Sequence, residues 1–178
     1  MRKKLHIGSG EVYLPEWENV DMFSTFKADC YASVLSLPYD RGSFEIIYAS
    51  HVLEHLNRNM TLSALTHWKS LLKPMGILRL AVPDFSAICD QYMKKGNLSE
   101  LMGLLYGGQK FILDNHNIVF DAKLLEEYLL QVGFKDVRPW QWRNTEHAEY
   151  DDYSQAYLPH LEKNSGRSMS LNMEAVKK

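Results

Sequence analysis

The chain has 178 residues, 46% hydrophobic and 24% charged, a balance typical of one globular domain that buries its own core. Its formal net charge of −2 provides no basic field for phosphate backbones, which argues against a protein held to nucleic acid by charge. The two distant cysteines, Cys30 and Cys89, argue against a disulfide framework or a paired-cysteine zinc site.

The expected location is the cytoplasm, without contact to a membrane. Two buried thiols fit a reducing compartment. The first residues contain no hydrophobic run of signal-peptide length, and no run of about 18 apolar residues predicts a membrane-spanning helix.

The first half of the chain predicts short strands separated by turns. Strands are expected at 5–7, 18–21, 28–31 and 45–49, the last because it is β-branched and aromatic. The first strand stops at Gly8-Ser9-Gly10, and Pro38 and Gly42 mark a later turn.

The second half predicts helices that alternate with strands. Helices are expected at 60–72, capped by Thr61, at 87–95, at 98–106, and at 122–133, capped by Asp121. Strands are expected at 77–85, at 134–142 and, with one-sided alternation, near the C-terminus at 168–178. The prediction is a single α/β domain over 1–178, with a mostly parallel sheet, helices on both faces, insert helices at about 84–118 and an irregular excursion at about 143–165.

The stretch "ASHVLEHL" over 49–56 contains His51-x-x-Glu54-His55, which matches the pattern of inverted zinc peptidases. Such enzymes carry both histidines on a long helix. Here His51 follows a predicted strand after a single residue, and Asn57 and Asn59 interrupt the helical pattern. We therefore expect a loop or single turn at the carboxyl edge of the sheet, where α/β folds bind ligands, and no metal site.

The order of motifs resembles the class I S-adenosylmethionine-dependent methyltransferases. The motifs are a strand ending in Gly-Ser-Gly, an acid at the end of the next strand, "LPYDRGSFEIIYASHVLEHL" and "LKPMGILRLAVPDF". More narrowly, the chain is similar to small predicted methyltransferases associated with polysaccharide biosynthesis, through "YGGQ" at 106–109, the lone His116, "LLQVGF" at 129–134 and "SLNMEAVK" at 170–177. The resemblance implies a Rossmann-like fold with an antiparallel C-terminal strand.

The resemblance also implies a site for S-adenosyl-L-methionine. Gly8 and Gly10 would let the backbone approach the amino-acid tail, and Asp21 would accept hydrogen bonds from the ribose hydroxyls. The complete set of implied cofactor-binding residues is Gly8, Ser9, Gly10, Asp21, Ser33, Val34, Leu35, Ser50 and His51. Ser33 stands where the family often has an aspartate for the adenine amino group, and a serine reaches less far.

A second departure concerns the first crossover, which is a helix in ordinary members. Only residues 11–17 separate Gly10 from the second strand, whereas a parallel crossover normally needs a dozen or more residues. We expect a truncated crossover in which Tyr13, Leu14 and Trp17 cover the sheet. The excursion, with Tyr150, Tyr153 and Tyr157, is either a lid over the pocket or an ordinary surface loop.

Methyl transfer to a hydroxyl benefits from a general base that titrates near neutral pH, as histidine does. The candidate catalytic residues are His116, His51 and His55, and Tyr106 and Gln109 are candidate substrate residues. Each could instead have a structural role. The expected function is O-methylation of a small-molecule or sugar-linked acceptor by a protein that could form a homodimer. The alternative is a catalytically degenerate module of the same fold that binds a nucleotide-like ligand or a protein partner.

Overall fold

A computed structural model describes residues 3–110, 113–160 and 162–178. The strands are β1 Lys4–Ile7, β2 Glu18–Asp21, β3 Cys30–Tyr31, β4 Phe44–Ser50, β5 Leu72–Pro83, β6 Lys135–Pro139, β7 Tyr157–Leu158, β8 Arg167–Ser168 and β9 Ser170–Val176. The α-helices are α1 Arg58–Leu71, α2 Phe85–Lys95, α3 Met102–Tyr106 and α4 Ala122–Gln131. Single 3₁₀ turns are formed by Leu53–His55, Ser99–Leu101, Trp142–Asn144 and Tyr153–Gln155.

Seven strands form one sheet in the order β3-β2-β1-β4-β5-β9-β6. The pairs from β3 through β5 are parallel, whereas β9 lies antiparallel between β5 and β6. Strand order reverses between β1 and β4, so their carboxyl ends flank the crevice in which open α/β sheets bind ligands. The prediction of a Rossmann-like, mostly parallel sheet with an antiparallel C-terminal strand is confirmed.

Helix boundaries follow the caps that the chain supplies. The side chain of Asp121 accepts a hydrogen bond from the backbone of Leu124, which confirms the predicted cap of α4. The prediction of Thr61 as a cap is wrong, because α1 begins at Arg58 with Asn57 at its N-cap position. Thr61 is buried within the first turns of that helix.

The main core lies on the face of the sheet that α1 and α4 cover. Ile47 and Ala49 of β4 point into it, together with Trp68 of α1 and Leu125 of α4. Leu171, Met173 and Ala175 of β9 pack against the same cluster, as their predicted alternation requires.

The opposite face of the sheet is covered by aromatic side chains from loops. The described residues 8–17 contain no helix, so the predicted truncation of the first crossover is confirmed. A buried cluster, here called the aromatic patch, covers the sheet instead; it comprises Leu14, Trp17, Tyr48, Ala81 and Trp140. Trp142 and Tyr150 of the excursion pack against this patch, which brings the excursion onto the sheet beside the shortened crossover.

The region predicted as an insert is helical and carries Cys89. Helices α2 and α3 form the insert, and residues 111 and 112 of the predicted insert and 161 of the excursion lie outside the described residues. The expectation of two buried thiols is wrong for Cys89, which is exposed, while Cys30 is half-buried and both are free. Within the described part of the chain, no helix is long and apolar enough to cross a membrane.

Candidate active site

The glycine turn after β1 and the acid at the end of β2 lie side by side. The backbone N–H of Gly10 donates to Oδ2 of Asp21 over 2.9 Å, and the N–H of Phe23 donates to Oδ1 over 2.8 Å. Each carboxylate oxygen keeps a further lone pair for a ligand hydroxyl. The predicted juxtaposition of residues 8–10 with Asp21 at one edge of the sheet is therefore present.

The turn of Gly8, Ser9 and Gly10 has space and a polar group for a ligand. Gly8 and Gly10 have φ angles of 65° and 53°, and a Cβ on Gly10 would meet no atom within 4 Å, so open space lies beside it. The Oγ of Ser9 is buried and has no hydrogen-bond partner among the described residues. A buried hydroxyl without a partner beside an open turn fits a polar ligand group such as an amino-acid tail.

The three residues predicted to contact adenine differ in their exposure. Ser33 is exposed, and its Oγ accepts a 3.3 Å bond from the backbone of Leu35. Val34 is half-buried and packs against the main core, and its carbonyl accepts from the Trp68 indole, so its contact with adenine stays a prediction. Leu35 is 36% exposed and remains a candidate apolar contact.

Histidine and glutamate side chains gather just beyond the carboxyl end of β4. His51 has a φ of 53° and precedes the single 3₁₀ turn Leu53–His55, as the sequence predicts. Nδ1 of His51 lies 3.1 Å from Oε1 of Glu54, and its Nε2 lies 3.2 Å from Oγ of Ser170. His51 and His55 therefore flank a single turn and do not lie on one face of a long helix, the arrangement that the zinc-peptidase pattern requires.

A second segment brings His116 to the same place. Asn117 donates from its backbone to the carbonyl of Glu54 and from its side chain to the carbonyl of His55, each over 2.8 Å. His116 Nε2 consequently lies 4.0 Å from Oε1 of Glu54, and the rings of His55 and His116 are 4.9 Å apart between centroids. The structure therefore brings all three predicted catalytic histidines together around Glu54.

The predicted substrate residues Tyr106 and Gln109 form backbone hydrogen bonds with the segment that carries His116. The carbonyl of Tyr106 accepts from the backbone of His116, and Gln109 donates from its backbone to the carbonyl of Asp114. A Cβ at Gly107 would contact the Asp114 carbonyl and the His116 ring, so only glycine allows this close packing. Both predicted side chains are exposed and stay candidates for contact with an acceptor.

Burial affects the pKa values of both His116 and Glu54 in this cluster. Burial lowers the pKa of His116 below the ordinary 6.5, although the nearby Glu54 carboxylate acts in the opposite direction. His116 is therefore neutral at pH 7. Burial alone would raise the pKa of Glu54, but His51, His55 and His116 together hold it below its ordinary value.

One aromatic side chain of the excursion lies beside the site. The rings of Tyr153 and His51 are 5.4 Å apart between centroids, and Tyr153 is 69% exposed. Tyr150 instead packs against the aromatic patch, and the Tyr157 hydroxyl faces Trp142 and Arg143. Of the three tyrosines of the proposed lid, Tyr153 is the one placed next to a predicted site residue.

Two residues of the site are not in the predicted set. Glu54 occurs in the sequence as part of the zinc-peptidase pattern, yet it lies at the centre of the cluster and is fully buried. Asn117 fixes the two segments together across 62 residues. Adjacency to His116 in "NHN" was the available signal for Asn117, and a lone acid between two histidines was the signal for Glu54.

Comparisons with known proteins agree with the fold of the chain. The methyltransferase domain family matches residues 18–80 of the chain. No curated protein matches the sequence. A solved S-adenosylmethionine-dependent methyltransferase from Thermotoga maritima is 14% identical, with a TM-score of 0.62 over 99% of this chain and 82% of its own. Another, from Archaeoglobus fulgidus, is 15% identical, with a TM-score of 0.60 over 99% of this chain and 86% of its own.

A third solved structure contains ligands. The 1,6-didemethyltoxoflavin-N1-methyltransferase of Burkholderia thailandensis, with bound 1,6-didemethyltoxoflavin and S-adenosylhomocysteine, is 15% identical, with a TM-score of 0.59 over 98% of this chain and 70% of its own. These likenesses, all below 25% identity, show a shared fold. The chain has the fold of the class I S-adenosylmethionine-dependent methyltransferases, and its residues 18–80 match the family of methyltransferase domains.

Proposed function

We propose that the protein transfers a methyl group from S-adenosyl-L-methionine to an oxygen of a small-molecule or sugar-linked acceptor. The observation that carries the proposal is that two groups of candidate residues lie at the carboxyl edge of the same sheet. The open turn of Gly8 and Gly10 lies beside Asp21, and the histidine group around Glu54 follows the neighbouring strand β4.

The residues present fit the cofactor. Gly10 leaves space for its amino-acid tail, the Ser9 hydroxyl lacks a partner inside the protein, and Asp21 keeps acceptor capacity for ribose hydroxyls. When bound, the cofactor supplies a methyl group already activated by its sulfonium. The protein then has to align the acceptor and exclude water, and alignment can lower the activation barrier by roughly 7–11 kcal/mol.

His116 is suited to receive the acceptor proton. Its Nδ1 lies 3.0 Å from the carbonyl of Leu104, and because a carbonyl can only accept, Nδ1 carries the proton and Nε2 the lone pair. Its lowered pKa keeps this nitrogen unprotonated at neutral pH. Tyr153, beside His51, is placed to help shield the reacting groups from water.

Calorimetry with S-adenosylhomocysteine tests the cofactor site. Gly10→Ala fills the open space beside the turn, so we expect it to weaken binding at least tenfold, by roughly 1.4 kcal/mol or more. Gly42→Ala is the matched control, because Gly42 also has a positive φ and open space at its Cβ but lies in another turn. Absence of binding to the wild type at millimolar ligand would contradict the proposal and favour the non-catalytic module.

Transfer of a labelled methyl group to a panel of hydroxylated and amino acceptors tests the chemistry. His116→Asn should retain binding of S-adenosylhomocysteine and lower transfer by roughly 10²–10⁴-fold, the contribution of a general base. A product labelled on nitrogen instead of oxygen would contradict the assignment to O-methylation.

A further inference from the structure

We propose that Glu54, His55 and His116 form a binding site for one divalent transition-metal ion. One candidate ligand atom from each of the three side chains can be chosen so that all lie within 4.8 Å of one another. Carboxylate oxygen and imidazole nitrogen are ligands that zinc and its neighbours in the first transition row share.

The two histidines are oriented as metal ligands usually are. Nδ1 of His55 lies 3.1 Å from the carbonyl of Asn115, and Nδ1 of His116 lies 3.0 Å from the carbonyl of Leu104. Both Nδ1 atoms must therefore be the protonated donors, which leaves the Nε2 lone pairs free. A hydrogen bond from the second ring nitrogen to a backbone carbonyl fixes the tautomer and orientation of ligating histidines in metal sites.

The surroundings of the Glu54 carboxylate also favour a bound cation. Its side chain is fully buried, and neither carboxylate oxygen has a hydrogen-bond partner among the described residues. Nδ1 of His51 is near Oε1, at 3.1 Å, but without hydrogen-bond alignment. A buried carboxylate is costly unless a cation or several donors compensate it, and a bound dication would do so.

The protein already holds the two ligand segments together. Asn117 bonds to the carbonyls of both Glu54 and His55, so the ligands from the two segments are linked directly. Metal bonds of about 2.0–2.2 Å require ligand atoms roughly 3.3 Å apart. The present separations of up to 4.8 Å therefore have to close by as much as about 1.5 Å. His55 is only half-buried, so it has room to make this movement.

Three protein ligands leave coordination positions open for water or substrate. An acceptor hydroxyl bound there would have a lower pKa and would release its proton to solvent water, while His116 would serve as a ligand and no longer as the base. This role in the reaction rests on the proposed methyltransferase function, whereas metal binding itself does not.

The test is titration of tag-free, chelator-treated full-length protein with Co²⁺ alone, followed by displacement with Zn²⁺ alone. We expect one equivalent of Co²⁺ with visible absorption bands, and displacement by Zn²⁺. His55→Asn and His116→Asn should each weaken binding by roughly 10–100-fold or more. His160→Asn, which replaces an exposed histidine of the excursion, should leave it unchanged.

Circular dichroism of each variant confirms that the fold is retained, and Glu54→Gln is added as an isosteric test of the carboxylate. Absence of stoichiometric binding at ~0.1 mM Co²⁺, or binding unaffected by both histidine variants, would overturn the proposal. Calorimetry with S-adenosylhomocysteine on the same protein separates the two hypotheses. Metal binding without cofactor binding refutes the methyltransferase function alone, and the converse refutes the metal site alone.

Discussion

Single residues with positive φ angles set the geometry of the site at the carboxyl edge of the sheet. Gly8 has a φ of 65°, and a Cβ there would collide with the Val52 side chain. His51, a non-glycine residue, has a φ of 53°, a conformation that costs on the order of 1 kcal/mol. That conformation places the His51 ring between Glu54 and Ser170, so the strain accompanies the assembly of the site.

Replacement of Gly8 measures how tightly the turn packs. We expect Gly8→Ala to lower the free energy of unfolding by about 1–3 kcal/mol, since it adds both a positive-φ penalty and a steric contact. Gly42→Ala adds only the conformational penalty, because its Cβ would meet open space. Urea denaturation gives both values. Equal losses in the two variants would mean that Val52 does not press on Gly8.

Among the elements, the shortened first crossover is the most consequential. A crossover helix is missing, and the uncovered face of the sheet is buried by the aromatic patch and the excursion. Trp17 is 3% exposed and contacts Tyr48 edge-on, with ring centroids 6.2 Å apart. A few large aromatic side chains can bury as much apolar surface as a short helix face, so the truncated crossover still closes the core.

The aromatic patch should therefore be a main source of stability. Trp17→Ala removes a fully packed ring, and we expect a loss of about 3–5 kcal/mol in the free energy of unfolding. Trp142→Ala, in the half-buried shell of the same patch, should cost less. Chemical denaturation compares the two. A larger loss for Trp142 would show that the excursion, not the crossover, provides the main cover.

For the molecule as a whole, buried histidines make the free energy of unfolding depend on pH. Burial lowers the pKa of His6, His116 and His147, the last to about 4. His147 lies between aromatic rings, 4.4 Å from Tyr48 between centroids, and within the described chain neither of its ring nitrogens has a hydrogen-bond partner. The unfolded chain binds these protons more readily than the folded one, so falling pH favours unfolding.

The contribution of His147 is present above pH 6.5 and is lost as the pH falls toward 4. With 1.36 kcal/mol per pH unit, this histidine alone accounts for about 3 kcal/mol over that range. His147→Phe removes the titrating group and keeps a ring in the patch, so its unfolding free energy should fall less steeply between pH 6.5 and 4. Urea denaturation at several pH values measures the slope. His160→Phe, at an exposed position, should retain the wild-type slope, and an unchanged slope for His147→Phe would contradict the assignment.

Local pattern was sufficient for much of the fold. The alternation in β9, the aspartate cap of α4 and the brevity of residues 11–17 are properties of neighbouring residues, and each predicted its element. Helix α1 shows the limit, because Asn57 and Thr61 are both acceptable caps. Tertiary packing decided between them by burying Thr61.

The site required contacts that the sequence does not reveal. The sequence by itself determined the α/β class, the truncated crossover and the residues of the glycine turn, because strand and helix periodicity and chain length are local quantities. Only the tertiary structure placed His116 beside Glu54. It alone also showed that Asn117 bonds to the carbonyls of Glu54 and His55. Such pairings depend on how segments about 60 residues apart in the sequence meet at the edge of the sheet. Hydrophobic periodicity is a local property and does not show which distant segments come together.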